Sequence, residues 1–237
     1  MSIKKILAFT CCICLMINAG GQKVKDNRLT RKQQKEWKLL FDGVSLKEWT
    51  TVDGKPVLSG WEIGNGCITA KKDARPGDII SVDEYANFEL SIDYNIETGC
   101  NSGVKYFFTN YQVGGNLGME YQIIDDIAGE DTKQANHLCG SFYDVLAPDE
   151  SQKKVNQPGR WNNIRIIVKG MNVEHWLNGK KILEFTRGSE NYFSAVSQSK
   201  FSKTLPVFGI IQKGHLLLQY HGGQVSFKNI KIKILTN

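Results

Sequence analysis

The sequence predicts an all-β protein, an antiparallel β-sandwich of the jelly-roll type, and three observations support this. Short runs of alternating apolar and polar residues recur along the chain, and turn-forming residues separate them. Only one segment, SENYFSAVSQSKF, has a helical pattern, and it is short. We count about a dozen strand patterns without long helices between them, which favours two packed antiparallel sheets over a parallel α/β core.

The first strands form a hairpin followed by a long amphipathic strand. WEIGNGCITA has two short runs on either side of Asn65-Gly66, a dipeptide that favours a two-residue turn because both positions accept a positive φ. In NFELSIDYNIE, apolar side chains occupy every second position from Phe88 to Ile96. One face of this strand should therefore pack in the core while the other meets solvent.

The second half of the chain predicts a meander and three further strands. IRIIVKGMNVEHWLNGKKILEF is interrupted at Gly170 and again at Asn178-Gly179, which predicts three strands joined by tight turns. The remaining strands are expected at VFGIIQ, LLLQYH and VSFKNIKIKIL.

The 237 residues divide into a leader, a tether and one domain. Lys4 and Lys5, an apolar run over 6–17 and small residues after it predict a signal peptide at 1–21, and the run is too short for a membrane span. A flexible polar segment follows at 22–36, and the β-sandwich domain occupies 37–237. We expect a secreted or periplasmic protein; the residues preceding Cys11, Cys12 and Cys14 do not favour lipid anchoring.

Charge and cysteine content exclude several classes of protein. The formal net charge is +6, but the basic residues are spread out, so no nucleic-acid-binding patch is predicted. Cys67, Cys100 and Cys139 follow the predicted leader without a Cys-x-x-Cys pair. This scattered set indicates neither a disulfide framework nor a zinc site. The sequence does not predict the oligomeric state.

Three strands each place a pair of hydrogen-bonding side chains on one face. The pairs are Asn101 and Lys105, Glu120 and Gln122, and Gln219 and His221. Amides and carboxylates are the groups that bind sugar hydroxyls, so their combination indicates a carbohydrate groove. Each pair taken alone is also compatible with the solvent-exposed face of an antiparallel sheet.

A long loop, DDIAGEDTKQANHLCGSFYDVLAP, follows the Glu120 strand, and loops of this length are more often functional than idle. It carries Asp125, His137 and Tyr143 as candidate site residues. Judged alone, His137 is as compatible with a surface or capping position as with catalysis. The acidic residues could instead bind a divalent cation such as calcium, although their spacing matches no calcium motif, so any metal ligand is left open.

Several motifs in order resemble the 3-keto-disaccharide hydrolase family from about residue 37 to 234. They are LLFDGVSLKEWT, NSGVKYF, MEYQIIDD, GRWNNIRIIVKGMNVEHWLNG and LLLQYHGGQVSFKNIKI. The resemblance implies a concanavalin A-like lectin and glucanase fold, and cleavage of glycosides that carry a ketone at carbon 3. Lys105 stands where many members of that family have arginine. A lysine offers a single point charge in place of the two parallel N–H donors of an arginine.

This chemistry requires a base for the carbon 2 proton, a donor for the enolate oxygen and an acid for the leaving group. The resemblance implies Glu120 and His137 as the two proton carriers, in either order, and Asp125 as an orienting carboxylate or metal ligand. Asn101, Lys105, Gln122, Tyr143, Gln219 and His221 would surround the sugar. A conventional endo-glycosidase and a non-catalytic carbohydrate-binding module are the alternatives; Gln122 stands where a retaining glucanase would carry a second acid.

Overall fold

The computed structural model describes residues 36–236, and these residues form two antiparallel β-sheets packed face to face. The strands are β1 (Lys38–Leu39), β2 (Trp49–Thr51), β3 (Trp61–Gly64), β4 (Cys67–Ala70), β5 (Ile79–Tyr85), β6 (Phe88–Ile96), β7 (Asn101–Tyr111), β8 (Gly115–Ile124), β9 (Asn162–Lys169), β10 (Asn172–Leu177), β11 (Lys180–Thr186), β12 (Gly214–Leu218) and β13 (Val225–Ile234). One α-helix, α1 (Glu190–Ser197), occurs in the described part of the chain, with short 3-10 turns at Lys72–Ala74, Ala135–His137 and Ser202–Thr204. The predicted antiparallel jelly-roll β-sandwich is confirmed.

The larger sheet has eight strands, in the order β11-β10-β9-β6-β13-β4-β3, with β1 also paired to β13. The smaller sheet has the order β2-β5-β12-β7-β8. Apolar side chains from the inner faces of both sheets form the main core, and a buried hydrogen bond joins the sheets across it. Tyr106 on β7 and His175 on β10 are 2.9 Å apart, and His175 also bonds Gly140. Burial lowers the pKa of His175 to about 4, so this histidine is a neutral core residue.

The hairpin and the amphipathic strand are confirmed. β3 and β4 pair across Asn65 and Gly66, which have φ of 52° and 71°. In β6, Phe88, Leu90, Ile92, Tyr94 and Ile96 are all buried. The predicted meander is also present, since β9, β10 and β11 pair in sequence. Local patterns therefore predict these elements well, because each strand has one core face.

The prediction of a strand at VFGIIQ is wrong, because this segment forms turns and bends. Phe208 is fully buried and stacks on Phe201 with ring centroids 4.3 Å apart. The Arg187 guanidinium donates to the carbonyl oxygens of Gly209 and Ile211, at 2.7 and 3.1 Å. The packing of Phe208 anchors the segment, and Arg187 satisfies two carbonyl groups that a strand would have paired.

The strand at LLLQYH begins and ends earlier than expected, at Gly214 and Leu218. Gln219 still donates its backbone N–H to the Gly103 carbonyl at 2.9 Å, but Tyr220 and His221 lie beyond the strand. The chain therefore leaves the sheet where the polar side chains begin.

The predicted signal peptide at 1–21 lies outside the described residues, as does the predicted flexible segment apart from Glu36. The Glu36 carboxylate pairs with Lys233 at 2.6 Å. Among the described residues, no helix has the length and apolar character needed to cross a membrane.

Candidate active site

Strands β8 and β7 of the smaller sheet and the segment that follows β12 bring the polar pairs together. Glu120 lies directly opposite Lys105, and Gln122 lies opposite Gly103. Their neighbours Met119 and Tyr121 point into the core, so alternation places the polar side chains on the outer face of the sheet. The convergence expected from strand parity is present.

These side chains line a pocket of about 60 Å³ that we call the Glu120 pocket. Its lining residues are Asn101, Lys105, Glu120, Gln122, Tyr143, Lys200, Gln219 and His221. All six residues expected to surround the sugar are among them, together with Glu120. His137 and Asp125 are not.

Glu120 is buried, with 5% of its surface exposed, because its carboxylate lies against β7. A Cβ atom at Gly103 would be 2.5 Å from Glu120 Oε1, so only glycine leaves room for the carboxylate. Lys105 Nζ is 3.5 Å from Glu120 Oε2. The Gln122 amide, oriented to satisfy its partners, donates to the Ser102 carbonyl at 2.9 Å and to Glu120 Oε1 at 3.3 Å.

Burial raises the pKa of Glu120, and the charges of Lys105 and Lys200 partly oppose this effect. A carboxylate with a raised pKa is a stronger base than an ordinary glutamate, and its protonated form is available closer to neutral pH. Glu120 is therefore suited to proton transfer at this position.

Lys200 is a pocket residue that the sequence reading missed. It lies shortly after α1, and its Nζ is 4.1 Å from the centre of the Tyr143 ring. Burial lowers the pKa of Lys200, while the charge of Glu120 opposes that shift. No pattern around this lysine distinguishes it from a solvated one, since only the fold brings it over β8.

Two buried acceptors in the pocket wall have no hydrogen-bond partner within residues 36–236. They are Asn101 Oδ1 and Gln219 Oε1. Unpaired buried acceptors are costly, and native proteins keep them mainly where a ligand or water satisfies them. Both atoms could accept hydrogen bonds from sugar hydroxyl groups.

His137 lies behind the pocket, in a cluster with Asp131, Asp144 and Tyr143. Its Nδ1 is 2.7 Å from Asp131 Oδ1 and its Nε2 is 2.8 Å from Asp144 Oδ1. Burial disfavours the charged ring, but the bonds to Asp144 and Asp131 outweigh burial and raise its pKa. Because both nitrogens face carboxylate oxygens, this geometry favours the protonated ring, which can donate to both, and His137 does not line the pocket.

This cluster positions two pocket residues. The Tyr143 hydroxyl donates to Asp131 Oδ2 at 2.7 Å, and the Lys200 backbone N–H donates to Asp144 Oδ2 at 2.7 Å. His137 connects the two aspartates. The structure thus places His137 beneath Tyr143 and Lys200, and His137 is not among the residues that line the Glu120 pocket.

Asp125 also lies outside the pocket. Its Oδ2 accepts from the Gly99 N–H at 2.9 Å, and its Oδ1 accepts from the Ile127 and Ala128 N–H groups at 3.1 and 3.2 Å. Burial opposes its charge, but these backbone bonds lower its pKa. Asp125 therefore fixes two turns, the ordinary use of an aspartate in a loop.

Asp78 is a second carboxylate near the pocket that the sequence reading missed. It precedes β5, and its Oδ1 accepts from the Tyr220 N–H at 2.9 Å. Burial raises its pKa, and the charges of Lys105 and His221 oppose this. Its own charge contributes to the raised pKa of Glu120.

Within the described residues, no group of three or more His, Cys, Asp or Glu side chains is arranged to hold a metal ion. Cys67, Cys100 and Cys139 are free thiols. The acidic residues of the long loop bind protein groups, as Asp126 does by accepting from the Cys139 N–H at 2.7 Å.

Comparison with known proteins identifies the family of the chain. Residues 36–233 match the model of the 3-keto-alpha-glucoside-1,2-lyase-like domain. The chain belongs to this family. It is a glycoside hydrolase-like enzyme, and the resemblance read from its motifs is confirmed.

Relatives of the chain include one enzyme of known name and two proteins of known structure. A 3-keto-disaccharide hydrolase of Bacteroides thetaiotaomicron is 28% identical over 83% of this chain and 77% of its own length. A candidate glycosyl hydrolase from Parabacteroides distasonis, known from a crystal structure, is 34% identical with a TM-score of 0.77, covering 90% of this chain and 100% of that one. A second such protein from the same organism is 29% identical with a TM-score of 0.65, covering 84% and 99%.

Proposed function

We propose that the protein cleaves 3-keto-glycosides, including 3-keto-disaccharides, by elimination followed by addition of water. The observation that carries this proposal is the buried Glu120 carboxylate, in a pocket with two lysines and with two acceptors that have no partner within residues 36–236. The name of the Bacteroides thetaiotaomicron relative supports the same substrate class.

Glu120 is the proposed base. A ketone at carbon 3 acidifies the hydrogen on carbon 2, so the carboxylate removes that proton and an enolate forms. The electron pair then expels the oxygen at carbon 1, and the bond to the leaving group breaks. Water adds across the new double bond, with its hydroxyl at carbon 1 and a proton at carbon 2, so the net reaction is hydrolysis.

Lys105 and Lys200 are the proposed stabilisers of the enolate oxygen. Negative charge moves from Glu120 to the substrate oxygen during proton abstraction. Lys105 Nζ already lies 3.5 Å from the carboxylate, and Lys200 lines the same pocket. Preorganised charge in a site with little water stabilises such a transition state strongly. This role explains why the pocket combines one buried acid with two lysines.

His221 is the proposed acid for the leaving oxygen. It is exposed at the mouth of the pocket, where a leaving group would exit, whereas the His137 ring is bonded on both sides. Asn101 and Gln219 would accept hydrogen bonds from the sugar hydroxyls. The second proton carrier is thereby reassigned from His137 to His221.

A conventional glycosidase is the second candidate, and Asp78 is the observation that favours it. An ordinary glycosidase requires two carboxylates on either side of the scissile bond. Asp78 is close enough to Glu120 to contribute to its raised pKa. Asp78 accepts a backbone bond at the edge of the site, however, and the lysines beside Glu120 suit an enolate better than an oxocarbenium ion.

Aglycone release from matched substrates tests the proposal. An aryl glucoside and its 3-keto form are each incubated with the purified protein. Release from the keto form alone is expected. Release from the unoxidised glucoside would support the glycosidase, and binding of either sugar without turnover would support a carbohydrate-binding module; either result contradicts the proposal.

We also propose that the enzyme is exported and acts in the periplasm or outside the cell. Support comes from the leader pattern at 1–21, with Lys4 and Lys5 before the apolar run. Fusion of these residues to a reporter should direct its export, and retention of the reporter in the cytoplasm would contradict the proposal.

A further inference from the structure

A second hollow adjoins the Glu120 pocket, and we call it the outer hollow. Its volume is about 240 Å³, and it shares Asn101 and His221 with the Glu120 pocket. The two cavities therefore meet at these two side chains. A molecule bound across both would pass beside His221.

Glycine residues and turns shape the outer hollow. Gly99 and Gly222 have φ of 74° and 91°, values that residues with a side chain rarely adopt. A Cβ atom at Gly223 would be 2.7 Å from Cys100 Sγ. Asp125 holds the Gly99 turn through its bond to the Gly99 N–H. Asp125, which was expected to act in catalysis, thus stabilises a turn that lines the outer hollow.

The two walls of the outer hollow are tied to each other. Glu97 Oε1 accepts from the Gln224 N–H at 2.9 Å, and the Glu97 N–H donates to the Gln224 carbonyl at 3.2 Å. These bonds fix the segment before β7 against the segment after β12. Hydrogen bonds between its two walls therefore hold the outer hollow in shape.

The chemistry of the outer hollow suits a hydroxylated ligand. Lys72, Thr98 and Glu130 lie on it with glycine backbone, and its lining residues within 36–236 include no Phe, Tyr or Trp side chain. Its volume is below the range of about 300–1,000 Å³ typical of drug-sized ligands, so it suits one small ring. An aromatic leaving group would find no Phe, Tyr or Trp ring among these residues to stack on, whereas a sugar would find charged and polar partners.

We propose that the outer hollow is the subsite for the leaving group and that it takes a second sugar ring. This inference rests on the proposed function and assigns the position of its leaving group. The oxidised sugar lies over Glu120, the glycosidic oxygen lies beside His221, and the second ring fills the outer hollow. The enzyme then favours 3-keto-disaccharides over 3-keto-glycosides with small or aromatic leaving groups.

A variant that fills the outer hollow tests this assignment. Thr98 is exposed on its rim, and Thr98→Trp places an indole there. The matched control is Thr236→Trp, since Thr236 is exposed and lines neither cavity. Each protein is assayed with a 3-keto-disaccharide and with methyl 3-keto-glucoside, whose leaving group is too small to need the hollow.

Thr98→Trp should lower kcat/KM for the disaccharide by about tenfold or more, mainly through KM, and leave the methyl glycoside within about twofold. The control should change neither value. Equal loss on both substrates, or no loss on the disaccharide, would overturn the subsite. If the parent enzyme converts neither keto sugar, the proposed function fails and the subsite falls with it, a result distinct from failure of the subsite alone.

Discussion

Two acid-base clusters lie side by side in this protein, and they differ in how completely their groups are paired. In the His137 cluster, both ring nitrogens, both aspartates and the Tyr143 hydroxyl have close partners. In the Glu120 pocket, a buried carboxylate is 3.5 Å from its lysine, and two acceptors lack partners within the described chain. The satisfied cluster builds structure, while the incompletely satisfied one is ready to bind a ligand.

The largest effect should come from Glu120→Gln, which preserves size and removes the base. We expect kcat for a 3-keto-glycoside to fall by about 10²–10⁴, the usual contribution of a positioned acid or base. The matched control is Glu184→Gln, a change on β11 of the opposite sheet that should leave kcat unchanged. A fully active Glu120→Gln protein would remove Glu120 from the mechanism.

The next effect concerns the pH dependence of activity. Glu120 acts as a base only when ionised, and the charge of Lys105 lowers its pKa. Lys105→Met should therefore raise that pKa, move the acidic limb of the kcat/KM profile to higher pH and reduce the maximum. Asp78→Asn should move the same limb to lower pH, because the charge of Asp78 raises the pKa of Glu120. If the acidic limb moves in the same direction in both variants, or moves in neither, the ionisation of Glu120 does not set that limb.

The smallest effect should come from His137→Gln, which alters the satisfied cluster. Because His137 positions Tyr143 and Lys200 without touching the pocket, we expect kcat to fall by only about tenfold or less. A loss as large as that of Glu120→Gln would contradict the supporting role.

Stability gives an independent measure of the same cluster. The folded-state pKa of His137 is raised, so its contribution is fully present below the unfolded pKa of about 6.5 and is lost as pH rises through the folded value. The melting temperature of His137→Gln should therefore lie furthest below that of the parent at or below about pH 6.5, and the difference should shrink as pH rises above this value. A difference that grows with pH would show that the ring is neutral in the fold.

The sequence predicted what depends on local pattern, and this includes part of the site. Strand alternation placed Glu120 and Gln122 on one face, and the neighbouring polar pairs met them as expected. The VFGIIQ segment was mistaken for a strand because a buried Phe208 and the distant Arg187 decide its backbone. Apolar content alone does not distinguish a strand from a packed turn.

The remaining site residues depend on contacts that no local pattern encodes. His137 and Asp125 belong to the right loop, but each has its hydrogen-bonding capacity used by neighbours within that loop or at Gly99. Lys200 and Asp78 reach the pocket from segments that have no catalytic signature. The chemical type of each residue suggested its role from the sequence. Its hydrogen-bond partners and its position in the fold determine whether it lines the pocket.

The most direct test of the account follows the proton at carbon 2. The enzyme converts a 3-keto-disaccharide in D₂O, and early product is examined by NMR beside product incubated without enzyme and with Glu120→Gln. Elimination followed by addition of solvent predicts deuterium at carbon 2 of the product, well above both controls. Product that carries only hydrogen at carbon 2 would contradict abstraction of that proton and return Glu120 to the role of an ordinary glycosidase acid.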